Sequence, residues 1–275
     1  MLFINHTYNK DNYVKEREEI WNILNNKLDF KGLAKKINFE IKRTSELTIV
    51  KSPINFSGIN NKSIIGSFKS GDSKIMIANE WLNEMVERFT YLQWGLVEIT
   101  LANKLYQETQ DNIQKYYFEI NFQYYSMYVI SEIYSFWNMV AQYLNVLYME
   151  EEEKDVNCGL FESSEIKDNQ NDFVQNMRSE YMNAFNKDIL KLRHHSTHRK
   201  RIEITELGPK YYTKITKIMV ELAAQYESIP AIALENKIIE VMNSIIKVMG
   251  YCGDNLEMEI KNKGYSNITI VRKNN

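Results

Sequence analysis

Proline is almost absent from this chain, and its scarcity is the strongest constraint on the fold. The 275 residues include three prolines, and none lies between Pro53 and Pro209. Proline removes a helical hydrogen bond and clashes with the preceding turn, so a long stretch without it favours long uninterrupted helices. The sequence therefore predicts a mainly α fold.

Apolar residues within this stretch repeat in steps of three and four, which is the spacing of one helix face. The first run predicts a helix from about 72 to 106, and the second predicts a helix from about 111 to 149. The predicted inner faces are Ala78, Leu82, Met85, Phe89, Leu92, Leu96 and Ile99 in the first helix, and Ile130, Ile133, Trp137, Val140, Leu144 and Leu147 in the second. This spacing suits long antiparallel neighbours, so we expect a bundle of long antiparallel helices.

The second of these helices should be the central helix of the bundle. Twelve of the 33 residues from 116 to 148 are aromatic, and only Glu119 and Glu132 among them are charged, so little of the helix should face water. Three further helices are predicted at about 172 to 192, 209 to 226 and 230 to 249. Gly250 follows the last of them, as glycine commonly follows a helix end.

The two ends of the chain have a different character. Residues 11 to 44 look helical, whereas "ELTIVKSPINF" and "SIIGSF" are rich in β-branched residues, and "LEMEIKNKGYSNITIV" alternates around a turn as in a β-hairpin. These segments could form a small sheet packed on the bundle. We therefore expect an N-terminal helical and β extension over 1–71, a helical bundle over 72–250, and a C-terminal β-hairpin or tail over 251–275.

Composition and charge exclude several classes of protein. The net charge is −2, so any binding of nucleic acid must come from a local basic patch. Cys158 and Cys252 are far apart, which argues against a disulfide framework or a cysteine-based zinc site. The chain shows no signal-peptide pattern and no apolar run long enough for a membrane span, so we expect a soluble, cytoplasmic protein.

Three of the four histidines lie in one basic stretch, "KLRHHSTHRKR", at residues 191 to 201. His194 and His198 stand four apart, as the ligands of a helical zinc site do, but position 195 is His where such a metalloprotease needs a glutamate. A basic helix end with ordinary surface imidazoles is a second interpretation. The third is phosphate chemistry, and we expect no metal and no cofactor.

Phosphate chemistry would use one guanidinium and one imidazole from this stretch. Arg193 offers a planar fork for two phosphate oxygens, and the imidazole of His198 can give or take a proton near neutral pH. This combination suits RNA cleavage, in which a base frees the 2′-hydroxyl, an acid protonates the leaving 5′-oxygen, and a cation neutralises charge on the phosphorus centre.

The hexapeptide from Arg193 to His198 resembles the Arg-polar-x-x-x-His signature of HEPN domains, the all-α higher-eukaryote and prokaryote nucleotide-binding superfamily. The resemblance covers roughly 72 to 250. It implies a homodimer whose two motifs meet in one cleft, commonly a metal-independent endoribonuclease of toxin-antitoxin or phage-defence systems. An antitoxin or nucleotidyltransferase partner belongs to that expectation.

By this resemblance, Arg193 would bind the scissile phosphate, His198 would act as general acid or base, and His194 would take the polar second position that orients the site. The family more often has Asn or Asp at that second position. The neighbouring cations would bind the RNA backbone with low sequence selectivity; they are Lys191, His195, Arg199, Lys200 and Arg201.

Uncharged polar residues also form a stripe along the second helix. Ser131, Ser135, Asn138, Gln142 and Asn145 repeat in steps of four and three. One interpretation is buried groups that hydrogen-bond to neighbouring helices. The other is the floor of the catalytic cleft or the dimer seam, with Asn138 and Glu132 as the supporting residues, whereas Tyr134 and Trp137 should be core.

Two other functions remain open at this level. One is a catalytically inactive helical module that binds a nucleotide, RNA or a protein through the same patch. The other is a structural dimerisation bundle without nucleic-acid binding. The chain has no Gly-rich phosphate loop, so it is not expected to be a P-loop NTPase.

Overall fold

The computed structural model describes residues 10–28, 33, 36–37, 39–43, 49–51, 70–149, 156–183, 231–262 and 268–272. This part of the chain is mainly helical. Its helices and strands, numbered in chain order, are α1 (Lys10–Lys27), β1 (Phe39–Arg43), β2 (Ile49–Lys51), α2 (Ser70–Glu108), α3 (Asn112–Tyr148), a 3-10 helix (Cys158–Glu162), α4 (Ser164–Lys167), α5 (Asp172–Glu180), α6 (Ala231–Asn262) and β3 (Ile268–Arg272).

The two long helices predicted from apolar spacing are confirmed as α2 and α3. All seven residues of the predicted inner face of α2 are buried, from Ala78 to Ile99. On α3, five of the six predicted inner residues are buried, and Leu147 is half-buried. A step of three or four residues keeps the apolar side chains on one face, and burial of that face stabilises both helices.

The chain divides into two compact units. The first comprises residues 1–28, 91–133 and 184–242, and the second comprises residues 29–90, 134–183 and 243–275. Helices α2, α3 and α6 each contribute residues to both. The three sequence ranges expected as domains stay a prediction.

In the first unit, α1 packs against α2 through aromatic and charged side chains. The rings of Trp21 and Trp94 lie 5.5 Å apart. Helix α3 packs closely here, because a Cβ on Gly95 would clash with Cγ2 of Val129. The buried apolar residues of this unit include Ile20, Leu24, Leu92, Leu96, Ile99, Phe122, Val129, Ile130, Leu234 and Ile238.

In the second unit, an aromatic cluster forms the centre of the core. Trp137 contacts Phe161 and Tyr181 edge-on, with ring centroids 5.6 and 5.4 Å apart, and Phe161 stacks on Tyr181 at 4.5 Å. All three side chains are buried. Trp137 is therefore core, as predicted.

The second unit also contains a three-stranded antiparallel sheet in the order β2-β1-β3. Strand β1 pairs with β3 from Phe39 opposite Arg272 to Arg43 opposite Ile268. The prediction of helix through residue 44 is therefore wrong for Phe39–Arg43. The strand forms because it pairs with β2 on one side and, on the other, with β3 from the far end of the sequence. A local helical pattern carries no sign of such partners.

The C-terminal hairpin predicted over 256 to 271 is wrong in its first half, because α6 continues to Asn262. Leu256 and Ile260 are buried one helical turn apart, and Lys261 pairs with Glu257 at 2.8 Å in the same helix. Helical burial of these residues outweighs the alternating pattern. Strand β3 pairs with β1 and not with the residues before the turn.

Two glycines inside α6 explain why the predicted helix end near Met249 is also wrong. A Cβ on Gly253 would lie 2.6 Å from the Lys36 carbonyl oxygen and 2.8 Å from Ile37 Cγ2. A Cβ on Gly250 would lie 3.0 Å from Lys36 Cδ. These glycines therefore permit close packing of the 36–37 segment on the helix and do not terminate it.

The expectation that little of α3 faces water is wrong for its first third. The exposed large apolar residues there are Ile113, Tyr116, Ile120 and Tyr124.

Within the described residues, the structure contains no helix that is both long and apolar enough to cross a membrane.

Candidate functional site

The predicted catalytic and RNA-binding cluster lies in a segment outside the described residues. Its roles and its geometry stay predictions. The residues concerned are Arg193, His194 and His198 with Lys191, His195, Arg199, Lys200 and Arg201. The two supporting residues, Glu132 and Asn138, lie on α3 and are described.

The chain that leads to this cluster is anchored at the end of α5. Tyr181, twelve positions before Arg193 in the sequence, lies in the aromatic cluster with Trp137 and Phe161 and is 1% exposed. Burial raises the pKa of Tyr181, and the nearby Cys158 raises it further, so its hydroxyl stays protonated at neutral pH. The Nε–H of Arg178 donates to the Phe161 carbonyl at 3.2 Å and holds α5 against the 3-10 helix.

Polar contacts also anchor the end of α5 to α6. The Ser244 hydroxyl donates to Oε2 of Glu180 at 3.0 Å, and Lys247 forms an ion pair with the same carboxylate. The hydrogen bond to Glu180 raises the pKa of Lys247. Lys247 also lies 5.6 Å from the ring centroid of Tyr251. The end of α5 is thus held by both apolar and charged contacts.

Asn138, one of the two predicted supporting residues, holds the chain at the start of the 3-10 helix. Its Oδ1 accepts a hydrogen bond from the Cys158 N–H at 2.9 Å. One turn along α3, the Gln142 side chain donates to the Val156 carbonyl at 2.8 Å. These two members of the polar stripe satisfy the backbone of a neighbouring segment, as the first interpretation of the stripe requires.

The other members of the stripe differ in burial. Asn145 is buried at 3% exposure, Ser135 is half-buried and Ser131 is exposed. Glu132, the second supporting residue, is half-buried. A role of Glu132 or Asn138 in a catalytic cleft stays a prediction, because the catalytic cluster lies outside the described residues.

A charged cluster in the first unit was not predicted from the sequence. The Glu98 carboxylate, 7% exposed, accepts from Arg17 at 2.5 Å and from the Tyr13 hydroxyl at 2.8 Å. The Arg17 guanidinium lies 5.4 Å from the Tyr13 ring centroid and 4.9 Å from that of Trp94. Burial raises the pKa of Tyr13, and the Glu98 charge raises it further. A lone carboxylate in the apolar run "WGLVEITLA" was the sequence signal for this cluster.

A chain of buried hydrogen bonds links α3 to α6 in the second unit. The Tyr143 hydroxyl lies 2.9 Å from the Cys252 carbonyl and 3.1 Å from Oδ1 of Asn255. Asn255 donates to the Tyr148 hydroxyl at 2.5 Å, and that hydroxyl donates to Glu259 at 3.1 Å. Burial raises the pKa of Tyr143 and of Tyr148. Both tyrosines therefore stay neutral donors, and the arrangement is that of a structural network.

Metal-binding side chains do not converge in the described part of the chain. No group of three or more His, Cys, Asp and Glu residues is placed there to hold an ion. The two cysteines, Cys158 and Cys252, are buried and are not joined in a disulfide, and burial raises the pKa of the Cys252 thiol. A buried thiol with a raised pKa is a poor nucleophile.

Neither a protein-family model, nor a curated protein, nor a solved structure matches this chain. The hexapeptide motif and the long helices that precede it in the sequence are therefore the grounds for a functional proposal.

Proposed function

We propose that the chain is a HEPN-like RNA-binding protein that acts as a metal-independent endoribonuclease of the toxin or phage-defence type. The observation that carries the proposal is the hexapeptide from Arg193 to His198, set in a stretch with five further basic or imidazole side chains and no acidic one. In the sequence it follows the long helices α2 and α3, and the HEPN signature likewise lies after a bundle of long helices.

The chemistry balances without a metal or cofactor. A basic imidazole removes the 2′-hydroxyl proton, the 2′-oxygen attacks phosphorus, and the bond from phosphorus to the 5′-oxygen breaks. A protonated group supplies the proton of the leaving 5′-hydroxyl, and the other product ends in a 2′,3′-cyclic phosphate. His198 acts in proton transfer, Arg193 neutralises the phosphorane charge, and His194 orients the site.

The described helices support this proposal in two ways. Helices α2 and α3 bury the faces that the bundle requires. The last described helix before the motif is also anchored, because Tyr181 and Glu180 hold the end of α5 to α3 and α6.

The proposal includes a homodimer in which two motifs share one cleft, with an antitoxin or nucleotidyltransferase as a possible further partner. The alternative is a catalytically inactive module that binds RNA, a nucleotide or a protein. The exposed apolar residues of α3 favour the protein-binding form of this alternative, since such surfaces commonly mark protein interfaces.

The test is cleavage of end-labelled RNA by the purified chain in the presence of a chelator. We expect cleavage, products with cyclic phosphate ends, and loss of both in His198→Ala with folding and much of the RNA binding retained. Arg193→Ala should impair cleavage and binding together. His6→Ala is the matched control, because His6 is the one histidine outside the motif, and it should cleave at the wild-type rate.

Two results would refute the mechanism. One is cleavage that persists in His198→Ala, and the other is cleavage that needs an added divalent metal. Binding of RNA without cleavage under all conditions would leave the inactive binding module as the function.

A further inference from the structure

The first third of α3 presents an apolar stripe to solvent. Ile113, Tyr116, Ile120 and Tyr124 are 65%, 59%, 42% and 65% exposed. They follow one another in steps of three, four and four, so they share one helix face. The opposite face packs inward through Phe122, Ser126 and Val129, all buried. The stripe is therefore a second apolar face on a helix whose first apolar face is already covered.

The stripe carries no charge of its own. Lys115 and Glu119 are the charged residues between 112 and 127, and both lie about 100° or more around the helix from its centre. Lys115 lies 5.4 Å from the Tyr106 ring centroid, and Glu119 accepts from the Gln123 side chain at 3.5 Å. A surface without cations does not suit nucleic acid, so its chemistry fits another protein surface.

The order of residues along the stripe is self-complementary. Isoleucine and tyrosine alternate, so an antiparallel twofold pairing sets Ile113 opposite Tyr124 of a second copy and Tyr116 opposite its Ile120. Each large ring then faces a smaller side chain, which fills the space better than the ring-on-ring and Ile-on-Ile contacts of a parallel pairing. An interface with a twofold axis requires this reciprocity, in which residue i meets j and j meets i.

From these observations we infer that residues 113–124 of α3 bind the same residues of a second copy of the chain, in antiparallel orientation. A stable interface buries about 800 Å² on each partner, so the stripe supplies the apolar centre of the interface and not all of it. The inference rests on α3 and uses no residue of the 193–198 motif, and it places an interface of the proposed homodimer. Variants of α3 test the interface and variants of the motif test RNA cleavage, so the failure of one can be told from the failure of the other.

The first test is sedimentation equilibrium of the full chain without RNA. We expect a reversible dimer, and we expect Ile120→Lys to raise its dissociation constant by at least about 100-fold, because each dimer would bury two unpaired charges. The matched control is Met258→Lys, which changes an equally exposed apolar residue (46%) on α6 and should dimerise as the wild type does. At a concentration where both chains are monomeric, the thermal melt of Ile120→Lys should match that of the wild type.

Two outcomes would overturn the interface. One is a wild-type chain that stays monomeric at every concentration. The other is Ile120→Lys that dimerises with the wild-type dissociation constant. A double variant provides a gain-of-function test, since Tyr116→Glu combined with Ile120→Lys sets opposite charges against each other across the axis. The double variant should dimerise more tightly than Ile120→Lys alone.

The second test measures orientation through oxidation of Ile113→Cys and Tyr124→Cys. In the antiparallel pairing, a given position lies about 16 Å along the axis from its own copy, whereas residue 113 lies beside residue 124. Each variant alone should therefore cross-link no more than the wild type, whose Cys158 and Cys252 are buried. An equimolar mixture should give a disulfide-linked dimer. Efficient cross-linking of each variant to itself, without a gain on mixing, would overturn the antiparallel arrangement.

Discussion

The buried ion pair between Arg17 and Glu98 makes the docking of α1 on α2 testable. In Glu98→Ala, the guanidinium and the Tyr13 hydroxyl both lose the acceptor that they share. The Arg17 Nε–H is already buried without a hydrogen-bond partner among the described residues. We therefore expect little compensation for the lost carboxylate. Breaking a fully buried pair costs about 3–5 kcal/mol, but the Arg17 side chain is 30% exposed and water offsets part of this. We expect a loss of about 2–3 kcal/mol in the free energy of unfolding.

The measurement is urea unfolding followed by circular dichroism, with an exposed pair on the same helix as control. Lys15 and Glu19 approach to 3.9 Å with side chains 76% and 56% exposed, so Glu19→Ala should cost less than about 0.5 kcal/mol. Replacing both buried partners, as Arg17→Met with Glu98→Leu, should recover most of the loss, because no buried charge then remains unpaired. The reasoning fails if Glu98→Ala costs no more than Glu19→Ala, or if the double variant is no more stable than Glu98→Ala.

Three further predictions concern the second unit. Gly253→Ala should lose about 1–2 kcal/mol of unfolding free energy in urea despite its higher helix propensity, because the new Cβ would meet the Lys36 carbonyl; unchanged stability would contradict this. Asn138→Ala should cost about 1–2 kcal/mol and speed hydrogen exchange at the Cys158 amide, and unchanged exchange would show that the hydrogen bond is absent. The contribution of the buried tyrosines to the free energy of unfolding should be fully present below pH about 10 and should fall as the pH rises above it. The reason is that the unfolded chain then releases tyrosine protons that burial retains in the folded state. Urea titrations from pH 8 to 11 test this, and Tyr143→Phe should reduce the slope.

Local periodicity was enough to predict the long helices. The residues from Ala78 to Ile99 lie on one face and are all buried, and Trp137 lies in the core as expected. Proline scarcity and apolar spacing describe residues that lie close together in the sequence, and helix formation depends on interactions between such residues. For this reason the bounds of α2 and α3 agree with the prediction to within a few residues.

Features that depend on distant partners were not predictable in the same way. Strand β1 pairs with β3, more than two hundred positions away, and its nearby partner β2 gives no sign of that second pairing. Gly250 looks like a residue just past a helix end until the 36–37 segment is seen against it and against Gly253. Likewise, Glu98 is an isolated charge in the sequence, and only the fold brings Arg17 to it.

The candidate site includes both a feature that the sequence reveals and a feature that depends on the fold. The role of Arg193 and His198 follows from one short motif and its resemblance to HEPN domains. The contacts of Asn138 follow from the fold, which sets it against the Cys158 backbone. An alternation of polar residues along a helix does not say which neighbour each will meet, so the polar stripe could be recognised from the sequence but not assigned.

The most direct test of the central claim is cleavage of an RNA that carries a single 2′-deoxy nucleotide at the site where the unmodified RNA is cut. The account requires the 2′-oxygen as nucleophile, so cleavage at that phosphodiester should disappear while other sites are still cut. Cleavage of the modified linkage at the unmodified rate would show that water or another group attacks phosphorus, and the proposed role of Arg193 and His198 would be wrong.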